Sequence, residues 1–124
     1  MSDNTQLIIE VLTHIEKASA KILSRFNDIQ DPSDFTDTAE GSIKMDAICM
    51  MLIVIGESLK NLDKITNREL LIRYPEVNWK DAKGMRDIIT HHYVDINPQA
   101  VYFTCNRKIP VLHKTISKMI SELE

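Results

Sequence analysis

Apolar residues recur along this chain at helical rather than strand spacing. Over residues 5–27, Leu7, Ile8, Val11, Leu12, Ile15, Ala18, Ile22 and Phe26 return every three or four positions, with Glu10, Glu16, Lys17 and Lys21 between them. This predicts a helix with one face in a core, and Asp3 or Asn4 is placed to cap its start. Gln30-Asp31-Pro32-Ser33-Asp34 is turn chemistry, so residues 29–35 read as a loop. A second helix is expected over residues 36–61, with Ala39, Ile43, Ala47, Met50, Met51, Val54 and Ile55 as its buried stripe. Residues 47–56 are apolar nearly all round. Such a helix needs neighbours on more than one side, either at the centre of a bundle or against a second copy of the chain.

The remaining pattern is set by capping signals. Thr66-Asn67-Arg68-Glu69 matches a capping box and predicts a short helix that ends before Pro75. Asn78 caps a helix starting at Trp79. Asn97 with Pro98 behind it starts another. Pro110 predicts a break near residues 107–109. Val111, Leu112, Ile116, Met119, Ile120 and Leu123 close the chain at helical spacing. No strand emerges. Short connections imply antiparallel neighbours and an all-α, up-and-down bundle of four or five helices.

Composition narrows this picture. The 124 residues suffice for one domain spanning 1–124, and 44% hydrophobic content is that of a globular protein. Three glycines and four prolines are too few for a fold of many tight turns. There is no twenty-residue apolar run and no basic-then-apolar leader, so no membrane span is expected and the cytoplasm is the expected location. Cys49 and Cys105 lie in apolar helical stretches and read as buried free thiols.

The net charge of −3 is unevenly spread. Residues 1–59 hold ten acids and four bases, whereas residues 60–124 hold eight acids and eleven bases. The second part is therefore the one that tolerates a polyanion. A chain that held nucleic acid by charge alone would be more basic.

The candidate chemistry lies in that basic part. Residues 86–93 place Arg86, His91 and Tyr93 in the spacing R-x4-H-x-Y on the predicted helix after Trp79. At about 100° per residue, Arg86, Thr90 and Tyr93 fall nearly on one line, and Asp87 and His91 on the next. Arginine grips phosphate bidentately, and histidine moves protons near neutral pH. Asp87 is placed to accept a hydrogen bond from His91 and fix its tautomer. RNA carries its own nucleophile, the 2′-OH, so a base and a cation at the phosphate suffice to cleave it. A surface Arg–Asp pair and a histidine facing a helix dipole would give the same spacing.

No metal or other cofactor is called for. There is no H-E-x-x-H, no paired E-x-x-H, no C-x-x-C and no phosphate-binding glycine loop. Glu10 and His14, one turn apart, read as a solvated contact.

With these residues in view, the chain resembles the HepT family of HEPN-domain toxins over nearly its whole length. Residues 86–93 fit the family's R-x4-H-x-Y motif. Ile55-Gly56-Glu57-Ser58 is similar to its I-G-E-A segment, Trp79 stands where a tryptophan is usual, and Pro110-Val111-Leu112 resembles its L-P-x-L stretch. The resemblance implies a HEPN bundle that forms a homodimer, with Arg86 and His91 of both copies in a metal-independent endoribonuclease site and Asp87 and Thr90 supporting them. It also implies a type VII toxin–antitoxin system, with an MNT-type nucleotidyltransferase antitoxin that can transfer AMP to Tyr93. Two departures stand out: Asp87 where the family commonly has Asn, and Asp95-Ile96-Asn97 in place of Gly-Ile-Asp. A non-catalytic HEPN module that pairs with the nucleotidyltransferase, and a purely structural helical dimer, remain open alternatives.

Overall fold

The computed structural model describes residues 4–124, and helices α1 (Asn4–Phe26), α2 (Ala39–Ile65), α3 (Trp79–His92), α4 (Pro98–Phe103) and α5 (Ile109–Leu123) build it. Three short 3-10 turns, Pro32–Phe35, Leu71–Arg73 and Tyr93–Asp95, link them, and no strand occurs among the described residues. The all-α bundle expected from the periodicity is the observed architecture. The proposed cap Asp3 lies outside the described residues. Asn4 begins α1, and its Nδ2 donates to the Ile65 carbonyl at 3.4 Å.

Contacts between helices fix their directions. Asn4 at the start of α1 meets Ile65 at the end of α2, so these two run antiparallel. From α2 to α3, Asp63 pairs with Lys83, Lys60 with Asp87 and Asp46 with Tyr93, again antiparallel. Between α1 and α5, Ser19 Oγ and His113 Nδ1 are 2.8 Å apart, and Ser117 Oγ donates to Glu16 Oε2 at 2.7 Å. The core therefore lies between α1, α2 and α5, with α3 laid across the other flank of α2. Leu12, Ile15, Ile22, Ile48, Leu52, Leu59, Leu62, Ile116 and Met119 fill it. Cys49 and Cys105 are buried free thiols, as expected; burial pushes them up to about 11 and about 12.

Three expectations are corrected. The buried stripe of α2 is Ile48, Cys49, Leu52, Ile55, Gly56, Leu59 and Leu62, with Gly41 at its start. Of the seven residues assigned from periodicity, Ile55 alone is buried, while Ile43 and Met50 are 67% and 57% exposed. A helix that is apolar nearly all round gives no phase to its own periodicity, and the core selected the neighbouring face.

Thr66 does not open a helix but closes α2. Its hydroxyl donates back to the Leu62 carbonyl at 2.8 Å instead of accepting from a later N–H. Asn67 and Arg68 follow with φ of 54° and 62°, and the Arg68 N–H reaches the Asp63 carbonyl at 2.9 Å. This is a left-handed C-terminal cap, in which asparagine is the best-tolerated residue after glycine. The short helix that should have followed is the single turn Leu71–Arg73.

Pro110 does not break the chain. Its ring would crowd the Asn106 carbonyl in a regular helix, and a π turn over Thr104–Lys108 opens the coil at that point. The path thus continues from α4 into α5 with Pro110 in the first turn. Among the described residues no helix is long and apolar enough to cross a membrane.

Candidate active site

Helix α3 carries the motif, and three features hold it against α2. Asn78 caps it, its Oδ1 accepting from the Asp81 N–H at 3.1 Å. Trp79 is buried and donates from Nε1 to the Tyr74 carbonyl at 2.8 Å, while Ile89 is fully buried on the inner face. Gly56 permits the closest approach: a Cβ there would lie 2.7 Å from Arg86 Cβ and 3.3 Å from the Arg86 nitrogen and the Lys83 carbonyl. Lys83 then pairs with the mostly buried Asp63 at 2.5 Å.

The open edge of α3 presents the polar residues. Arg86 pairs through Nε with Glu57 on α2 and through Nη1 with Asp87 Oδ1 at 3.0 Å. Asp87 also meets Lys60 Nζ at 3.4 Å. The contact with Asp87, then the charge of Glu57, raises the Arg86 pKa; Arg86 and then Lys60 hold the Asp87 carboxyl below the usual carboxylate range. The four formal charges of Arg86, Lys60, Glu57 and Asp87 cancel. In this state the guanidinium is positioned but already occupied by carboxylates.

His91 is exposed, and its Nδ1 lies 3.0 Å from the main-chain carbonyl of Asp87. A carbonyl only accepts, so Nδ1 carries the proton and Nε2 faces outward with its lone pair when the ring is neutral. The tautomer is thus fixed as expected, but by the backbone of Asp87 and not its carboxylate. That carboxylate is held by Arg86 and Lys60, and the ring folds back one turn along its own helix. Thr90 donates to the Arg86 carbonyl at 2.7 Å, which locks its side chain to α3 and leaves its oxygen as an acceptor.

Tyr93 stands apart from this group. It begins the 3-10 turn after α3 and donates its hydroxyl to Asp46 Oδ1 on α2 at 2.5 Å. Glu57 and Asp46 are eleven residues apart, about 16 Å along α2. The structure therefore brings Arg86, Asp87, Thr90 and His91 together and directs the Tyr93 hydroxyl elsewhere. The hydrogen bond to Asp46, with some desolvation, raises the Tyr93 pKa.

Asp46 and Lys60 carry no role in the sequence reading, and Glu57 enters it only through the I-G-E-A likeness. A faint signal exists for Asp46, the one acid on α2 between Glu40 and Glu57, in an otherwise apolar stretch. Glu57 and Lys60, at i and i+3, mark the polar edge of α2 that α3 must meet.

Comparison with known proteins places the chain in a family. The family described as "Ribonuclease HepT-like" matches residues 15–119. A Caldanaerobacter subterraneus protein named "Putative RNase" is 29% identical over 90% of this chain and 92% of its own length. A Methanocaldococcus jannaschii protein with the same description is 31% identical over 83% of this chain and 84% of its own. A "Probable ribonuclease HepT" of Thermococcus cleftensis is 29% identical over 59% of this chain and 63% of its own. No solved structure matches. With its R-x4-H-x-Y residues on the free edge of a helical bundle, this chain belongs to the HepT-like ribonuclease family of HEPN-domain proteins.

Proposed function

We propose that the chain is a metal-independent RNA endonuclease, the toxin of a type VII HEPN/MNT toxin–antitoxin system, acting through Arg86 and His91 in a homodimer. The observation that carries this reading is the pairing, about one and a half turns apart on the open edge of α3, of a fixed guanidinium with an imidazole whose Nδ1 is held by the backbone, which leaves Nε2 for a substrate. His91 Nε2 takes the proton of a ribose 2′-OH as that oxygen attacks the adjacent phosphorus. Arg86 binds the non-bridging oxygens as their charge grows. The bond to the 5′-oxygen breaks, and an imidazolium, supplied by His91 of the second copy, protonates the leaving group. One product end is a 2′,3′-cyclic phosphate.

An apolar surface around the Tyr93–Asp46 contact, at the far end of α3 from Arg86, supports the dimer. Ile43 and Met50 are exposed on α2, and Val94 is fully exposed next to Tyr93. Transfer of AMP to Tyr93 by the nucleotidyltransferase antitoxin adds a negative phosphodiester near the cleavage site and opposes RNA entry.

Purified protein is expected to cut single-stranded RNA in the presence of EDTA, to leave cyclic-phosphate ends and to show a dimer's mass at micromolar concentration. A monomer that cuts equally well would overturn the shared site. The occupation of Arg86 by Glu57 and Asp87 favours the second reading, a non-catalytic module that pairs with the nucleotidyltransferase. Tight complex formation without cleavage under any condition selects it.

Asp87 separates the two readings further. Asp87→Asn removes one of the carboxylates that competes with phosphate for Arg86. RNA affinity is expected to rise about 3–10-fold at low salt, an effect of roughly one unit charge near the surface. Fluorescence anisotropy with labelled RNA measures it, and an unchanged affinity would place phosphate binding away from Arg86.

A further inference from the structure

The contact between Tyr93 and Asp46 takes no part in RNA cleavage as derived above. The two residues are 47 positions apart in sequence, and the hydroxyl is aimed at Oδ1 at 2.5 Å. Tyr93 is half-exposed, so its oxygen is open to a reagent as well as to the carboxylate. The other tyrosines differ. Tyr102 donates to the Gln30 carbonyl at 3.0 Å, a group that cannot take a proton. Tyr74 also meets a carboxylate, that of Glu122, but its ring lies under the Lys118 ammonium, 5.6 Å from the centroid, and it contacts α5 rather than the motif. Tyr93 alone among the three combines an open phenol, a carboxylate on its proton and a place at the end of the motif helix.

We infer that Asp46 is the general base for AMP transfer to Tyr93. This rests on the reading of Tyr93 as the AMP acceptor. As the phenol oxygen attacks the α-phosphorus of a nucleoside triphosphate, its O–H bond breaks and the proton passes to Asp46 Oδ1. The new oxygen–phosphorus bond forms, the bond from phosphorus to the bridging oxygen breaks, and pyrophosphate leaves. A base is needed because a tyrosine phenol is neutral at neutral pH, and the hydrogen bond to Asp46 holds its proton more firmly still, so attack must coincide with proton loss. After transfer, the tyrosine oxygen has no proton left to donate and carries a negative phosphodiester. Once Asp46 has given its proton to solvent, its carboxylate repels the side chain it had held, and the adenylylated tyrosine leaves α2.

The test uses adenosine 5′-phosphorimidazolide, which delivers AMP with imidazole as leaving group and needs no enzyme. Wild-type, Asp46→Asn and Asp46→Glu proteins are labelled at neutral pH, and AMP on each tyrosine is quantified by peptide mass spectrometry, with Tyr102 as internal reference. Tyr93 is expected to label about tenfold faster than Tyr102 in the wild type, the low end for an aligned base. Asp46→Asn keeps an acceptor oxygen but no basic one, so the advantage is expected to vanish with the thermal midpoint unchanged. Asp46→Glu should restore part of it. Equal labelling of Tyr93 in the wild-type and Asp46→Asn proteins overturns the assignment, as does a wild-type Tyr93 no faster than Tyr102. A failure of the acceptor reading looks different: a chain neutralised by its nucleotidyltransferase in cells, with no AMP on Tyr93.

Discussion

His91→Ala protein is expected to cleave RNA about 10²–10⁴ times more slowly than wild type, the usual contribution of a positioned general base. The ring is exposed, and among the described residues it bonds to the Asp87 carbonyl of its own helix. Its removal opens no core cavity and strands no buried partner, so the thermal midpoint should stay within a few degrees. Loss of rate without loss of fold is the signature to measure, in single-turnover cleavage with RNA below saturation. Arg86→Ala should cost as much in rate but fail differently. Removing the guanidinium leaves Glu57 without its partner and Asp87 with Lys60 alone, a net negative charge where phosphate is proposed to bind, so RNA binding falls together with cleavage. Arg86→Lys keeps the charge but loses the fork that reaches Glu57 and Asp87 together, and should recover binding more than rate. Wild-type cleavage by either alanine variant would move the chemistry off α3.

The spacing from Arg86 to Tyr93 could be read without a structure because it lies within one helix, where the distance along the chain sets the distance in space. Partners on another helix could not. Glu57, Lys60 and Asp46 reach the motif only through the antiparallel packing of α2 on α3, and no local pattern couples residues 27 to 47 positions apart. The amphipathic helices α1 and α3 were legible for the complementary reason, a single apolar face for α1 and a clear asparagine cap for α3. On α2 two faces are apolar, and sequence cannot say which one meets α1. The Thr66 error has another origin: a threonine followed three residues later by glutamate satisfies a start signal, yet the same hydroxyl can donate to the turn before it. Pro110 marked a real irregularity, but a π turn relieved it where a break was expected.

Gly56→Ala should show how closely activity depends on that packing. The new methyl would sit 2.7 Å from Arg86 Cβ. That atom is fixed to the α3 backbone, so no rotamer change relieves the contact and α3 itself must shift. Overpacking of this kind costs about 1–3 kcal/mol, and alanine's better helix propensity offsets roughly 1 kcal/mol of it. The net loss of stability should therefore be small, a few degrees in thermal midpoint. Cleavage should suffer more, by about 10–100-fold, because the displaced residue is the one proposed to hold the phosphate, and a shift near 1 Å costs about that much. Gly84→Ala is the control on the same helix. A Cβ there meets nothing within 4 Å, so that variant should gain about 0.5–1 kcal/mol of stability and keep its activity. If Gly56→Ala cleaves as well as Gly84→Ala, the close approach of α2 and α3 serves only the fold. If it alone loses cleavage while both remain folded, the glycine of the second helix is what sets Arg86 at working distance from Glu57.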